Sequence, residues 1–151
     1  MRKSFALRKS PQDGHRNTRK RGPESGSAAV EFAILGPVFL VLVLGTMVWG
    51  QYFWISHAVQ QLANDSARAA LAGLDSTERA TLARSTLSAE VGDYANLRPS
   101  AATMAIADNT DRLTVSVSYD ASNATFWAFA GLVPAPPRTV LRQATVRLGG
   151  Y

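Results

Sequence analysis

From Phe32 to Ile55 the chain runs for 24 residues without a charge, interrupted only by the polar side chains of Thr46 and Gln51. As a helix rising ~1.5 Å per residue, this run is roughly 36 Å long. That is enough to cross a hydrocarbon layer of about 30 Å with some tilt. Trp49, Tyr52, Phe53 and Trp54 cluster at its C-terminal end, where an aromatic belt meets the membrane interface. The competing explanations are a buried core helix of a soluble protein and a secretory signal peptide. Ser56-His57-Ala58 offers small residues at signal-peptidase spacing, with release after Ala58. A signal peptide, however, has an apolar region of only roughly 7–15 residues.

Charge separates these readings. Residues 1–25 hold eight basic residues (Arg2, Lys3, Arg8, Lys9, Arg16, Arg19, Lys20 and Arg21) against Asp13 and Glu24. From Ser56 onward eight arginines face eight acids, and no lysine follows Lys20. The net charge of +5 therefore lies wholly ahead of the apolar run, as the positive-inside rule requires of a cytoplasmic flank. A nucleic-acid binder would carry its basic surface on the folded domain, so nucleic acid is not an expected partner. With no cysteine, disulfide and thiol chemistry are excluded.

The pattern divides the chain into a basic cytoplasmic leader over 1–26, a transmembrane helix over 27–56 and an extracytoplasmic α+β domain over 57–151. The leader is polar and ends in Gly22-Pro23-Glu24-Ser25-Gly26, a breaker-rich run. Pro37 falls in the early turns of the expected helix and removes one hydrogen bond. Between Gly50 and Gly73 there is neither Pro nor Gly. The helix is thus expected to continue over 57–73 through Val59, Leu62, Ala63, Ala67, Ala70 and Leu71, with Gly73 as C-cap. Asp75 followed by Glu78 marks a second helix over 75–92, with Ala80, Ala83, Leu87 and Val91 as its apolar stripe.

Beyond Pro99 the period becomes two. Met104 and Ile106 alternate, then Leu113, Val115, Val117 and Tyr119 after the Asp108–Asp111 turn, and Val140 to Leu148 could supply a third strand. The sheet region, 100–151, is therefore an antiparallel sheet of about three strands. Residues 123–133 are apolar and aromatic without a clear period. Phe126, Trp127 and Phe129 are either a contact patch for partners or a core or membrane-facing segment.

The entry to the apolar run carries the most specific pattern, Gly26-Ser27-Ala28-Ala29-Val30-Glu31-Phe32. It resembles the signal of type IV pilins that a membrane-embedded aspartyl peptidase cuts after the glycine. Extended to Pro37, and with the Ala- and Arg-rich helix from Ala58 to Ala72, it is similar to the TadE-like pseudopilin family of the Flp/Tad pilus system. The resemblance covers roughly residues 26–72. It implies a non-enzymatic minor pilin or pseudopilin. Gly26 and Ser27 would flank the prepilin-type cleavage and Glu31 and Phe32 would serve assembly. The implied partners are the membrane, a prepilin peptidase and other pilins.

The chemistry suits that reading. Glycine at 26 has no Cβ and leaves the backbone free to unwind into a protease. Cleavage would place a cationic amino group on Ser27, one turn from Glu31. A carboxylate pushed towards the bilayer costs on the order of 3 kcal/mol. An ion pair at about 4 Å and an effective dielectric of ~20 returns roughly 4 kcal/mol before desolvation. Glu31 is otherwise the last interfacial charge, reaching back to water. Ala29, Ala33 and Gly36 form a small face that would admit another helix.

No catalytic or cofactor site is expected. His15 lies in the leader and His57 at the interface, with no second metal ligand nearby. No histidine stands in the outer domain to activate a serine. Glu90 and Asp93 read as a solvated helix end, and no small-molecule substrate is implied. The alternative of another class is a signal-anchored binding module of the envelope that enters no pilus.

Overall fold

The computed structural model describes residues 24–149, so residues 1–23 of the expected leader, with His15, lie outside the described part. The described residues fall into two compact units, one ending at Gly36 and the other starting at Pro37.

The first helix, α1, covers Glu24–Ala70 and keeps Pro37 inside it without a break. It starts three residues before the expected Ser27. Gly26 does not stop the helix, because glycine keeps its N–H and costs only about 1 kcal/mol relative to alanine. Along the apolar run the side chains from Val30 to Val43 stand exposed, Phe32 at 76% and Phe39 at 69%. This helix is long and apolar enough to cross a membrane.

The environment changes along the same helix. Val48, Tyr52, Ile55, Ala58, Val59, Leu62, Ala63, Ala67 and Ala70 are buried. These positions recur at three- and four-residue spacing, which puts them on one face. Four of them are alanines, whose short side chains let other elements approach the helix backbone closely. The hydroxyls of Ser56 and Ser66 are buried on this face without a hydrogen-bond partner.

After Ala70 the chain tightens through i→i−3 bonds, with Gly73 N–H donating to Ala70 O at 3.1 Å. Gly73 does not take the left-handed conformation of a glycine C-cap. Its role is close approach: a Cβ there would meet the Arg79 backbone nitrogen at 2.6 Å. The helix α2 (Ser76–Glu90) begins as its sequence predicts, with Asp75 at the N-cap. The Asp75 carboxylate accepts from Glu78 N–H at 2.8 Å, and Glu78 Oε2 accepts from Leu74 N–H at 2.8 Å. Two otherwise orphan donors are thereby satisfied, a variant of the capping box. Ala83, Leu87 and Val91 from the predicted stripe are buried.

Strands β1 (Ala102–Asp108), β2 (Arg112–Asp120) and β3 (Thr139–Arg147) form an antiparallel sheet in the order β1-β2-β3. In β2, Leu113, Val115, Val117 and Tyr119 are all buried while the residues between them are not, the alternation a one-faced strand requires. They join the buried face of α1 and the stripe of α2 in one hydrophobic core. Two polar ties hold the layers: Gln60 Nε2 donates to Gln143 O at 3.0 Å, and Arg79 Nε pairs with Asp108 Oδ2 at 2.8 Å. The architecture is α+β, with one long apolar helix, a second helix and a three-stranded sheet.

Between β2 and β3 the segment of unclear period folds as a short 3₁₀ turn, η1 (Thr125–Phe129), with Phe126 buried. The chain then passes Pro134, Pro136 and Pro137 on its way into β3.

Candidate functional site

Gly26, Ser27, Glu31 and Phe32 lie within the first turns of α1 and are exposed. Helical geometry puts Ser27 and Glu31, four residues apart, on one face one turn from each other. A Cβ added at Gly26 would meet nothing within 4 Å, so that side of the helix is uncrowded there. Reaching the peptide bond after Gly26 as an extended strand requires unwinding the first helical turn, whose N–H groups make no intrahelical bonds but whose carbonyls accept from the turn that follows. The Phe32 ring lies against the bare face of Gly36, its Cε1 at 3.7 Å from where a Cβ would stand.

Among the described residues, no ion pair reaches Glu31. Its neighbours Val30, Phe32, Ile34 and Leu35 are each more than half exposed. A carboxylate ringed by uncovered apolar side chains is the group whose charge a neighbouring cation would relieve most. Ala29, Ala33 and Gly36 stand on the same short helical stretch and leave its surface low enough for close helix approach.

The other residues singled out in the sequence fall elsewhere. His57 is exposed on α1. Burial, followed by the charges of Asp65 and Asp93, raises the Glu90 carboxyl above its ordinary value. Burial first, then the charges of Asp65, Glu90 and Asp93, raise the Tyr94 phenol. No cluster of three potential metal ligands occurs among the described residues.

A half-open cleft of 560 Å³ lies beside the domain end of the apolar run, with Gln51, Trp54, Arg98, Tyr119 and Asn123 among its walls. Asn96, with φ at 70°, turns the chain at its edge; asparagine is among the few non-glycine residues that take this conformation readily. Tyr119 accepts from Arg98 N–H at 3.2 Å and so braces that turn. Sequence reasoning did not find this cleft, because its walls come from four separate segments.

Residues 26–68 match the family model described as TadE-like protein. The match covers the glycine, the Glu31-Phe32 pair, the apolar run and most of the alanine-rich continuation. It spans just over a quarter of the chain. Over that segment the chain is similar to TadE-like proteins, as its motif implies, and the same stretch holds a helix long and apolar enough to cross a membrane. No curated protein and no solved structure gives a match to the chain.

Proposed function

We propose that this protein is a minor pilin or pseudopilin of a Tad pilus or related secretion machinery, with a structural and not an enzymatic role. A prepilin peptidase cuts it between Gly26 and Ser27. It sits in the cytoplasmic membrane with its N-terminus inside and its α+β domain outside, and it enters the pilus or its base through α1. The observation that carries this reading is the exposed apolar head of α1. It holds one carboxylate, Glu31, a turn beyond the exposed pair Gly26 and Ser27, inside the segment that matches the TadE-like family.

Assembly follows from the electrostatics. Once Ser27 carries the new N-terminal charge, Glu31 can pair with its own terminus or with that of an adjacent pilin, which offsets the cost of holding a carboxylate near lipid. The positive end of the helix dipole acts in the same sense.

Mass spectrometry of the protein from cells with an intact Tad system should find a mature chain starting at Ser27. Gly26→Ala should slow its appearance. A chain still beginning at Met1, or beginning at Val59, would overturn the processing step. Glu31→Ala should leave cleavage intact but reduce pilus yield, and wild-type yield in that variant would contradict the docking role.

The cleft at Trp54 and Arg98 supports a second reading, a signal-anchored binding module outside any filament. Uncleaved full-length protein together with normal piliation in a deletion strain would favour it.

A further inference from the structure

We infer that residues 125–134 form a second membrane contact, seated in the lipid leaflet beside the end of α1. The inference rests on the membrane-spanning reading of α1 and extends it to a segment that no family motif covers.

Depth comes first. Starting the hydrocarbon layer after Glu31, about 20 residues cross it, which brings its far boundary to the neighbourhood of Gln51. Residues 46–51 then lie within the last ~8 Å of hydrocarbon on the domain side. It is against this stretch that the 125–134 segment packs. Val48 and Phe126 are both buried. Trp49 Nε1 donates to Pro134 O at 3.2 Å, and Thr125 Oγ1 donates to Gln51 Oε1 at 3.3 Å. Thr46, the remaining polar side chain of the run, donates to Leu42 O at 2.9 Å. A protein segment lying at hydrocarbon depth displaces lipid from the helix and must itself face lipid on its outer side.

Its composition meets that requirement. No charged residue occurs from Ala121 to Pro137. Leu132 is 62% exposed, Ala128 is exposed and Phe129 half-buried. An open groove of 410 Å³, walled by Thr46, Met47, Val48, Phe126 and Phe129 among others, runs between helix and segment. Its shape and apolar walls suit a lipid acyl chain.

Backbone satisfaction is the stricter test, because an unpaired N–H in lipid costs several kcal/mol. It is met in part: the N–H groups of Trp127, Ala130, Leu132 and Val133 donate locally to the Ala124, Trp127, Phe129 and Phe129 carbonyls at 2.9 to 3.2 Å. Pro134, Pro136 and Pro137 have no N–H to satisfy. The Trp127 indole donates to Ala121 O at 2.7 Å. The first charge after the segment, Arg138, stacks its guanidinium 4.4 Å from the Trp127 ring centre. That pair combines an interfacial aromatic with a cation at headgroup level.

The chain has no native cysteine, so single-cysteine nitroxide labelling of the full-length protein in phosphatidylethanolamine–phosphatidylglycerol vesicles tests the inference. Labels at Met47→Cys, Leu132→Cys and Leu74→Cys are compared for collision with oxygen, which concentrates in hydrocarbon, and with a water-soluble nickel chelate. Met47 is 59% exposed in the apolar run and Leu74 is 92% exposed beyond the end of α1. The expected oxygen-to-nickel ratio at Leu132→Cys is several-fold above that at Leu74→Cys and close to that at Met47→Cys. A Leu132→Cys label as water-exposed as Leu74→Cys overturns the lipid contact while leaving the span intact. A label shielded from both probes means that another protein surface covers the segment, and overturns it too. A water-exposed Met47→Cys label would instead sink the membrane-spanning reading itself.

Discussion

The two halves of α1 are built from similar apolar residues and meet opposite fates. From Val30 to Val43 the large side chains stand uncovered, whereas from Val48 to Ala70 one face is sealed by the sheet, α2 and the 125–134 turn. In water the first half would be a large exposed apolar patch of the kind that marks membrane or protein interaction. The second half is an ordinary core helix, narrowed by Ala58, Ala63, Ala67 and Ala70 so that a small sheet can close over it. One helix thus has two environments. Its head stands uncovered, and its own domain surrounds its tail.

The sharpest way to break the comparison is to shorten one side chain in each half. Leu62 is fully buried and Phe39 is 69% exposed. Leu62→Ala should destabilise the domain by about 2–5 kcal/mol, the range for cavity formation in a core. Phe39→Ala should change its stability by less than about 0.5 kcal/mol. Denaturant unfolding of the full chain in detergent micelles, followed by tryptophan fluorescence, measures both. Equal effects would mean that the exposed half is also part of the domain core.

A smaller effect probes where the buried half ends. Gly73→Ala puts a methyl 2.6 Å from the Arg79 backbone nitrogen, and the α1–α2 turn must shift to admit it. A loss of about 1–3 kcal/mol is expected, read from the same unfolding curves. If the variant were as stable as the parent, the close approach of the two helices would be wrong.

The smallest effect concerns Glu90. Its carboxyl is raised by burial and by Asp65 and Asp93, so folding favours its protonated form. Its contribution to stability is present below the ordinary carboxylate range and is lost as pH rises through the raised value. Glu90→Gln should therefore leave acid stability unchanged and raise the stability at neutral pH slightly, by less than about 0.5 kcal/mol, seen as a higher unfolding midpoint. A lower midpoint at neutral pH would show that the carboxylate has a stabilising partner.

Much of this was legible in the order of residues. The uncharged run and the one-sided basic charge specify a membrane helix, since neither depends on what packs against it. The Asp75–Glu78 signal found the start of α2 because a cap is satisfied within four residues. Strict alternation from Leu113 to Tyr119 found β2, because a strand with one buried face must alternate. The head motif found the family segment. The start of α1 was placed three residues late, because Gly26 breaks a pattern without breaking a first turn. At Gly73 the sequence points to a C-cap, whereas its missing side chain serves to let α2 approach.

The sequence alone determined which stretches prefer lipid, which prefer a core, and where the one carboxylate of the apolar head stands. These are properties of composition and period, and they hold whatever the neighbours are. Only the tertiary structure decided that the uncharged residues 125–134 come to rest against Val48, Trp49 and Gln51. The Trp49–Pro134 bond joins residues 85 positions apart. Contacts at such separation depend on how the sheet closes on α1, and no local pattern encodes that closure.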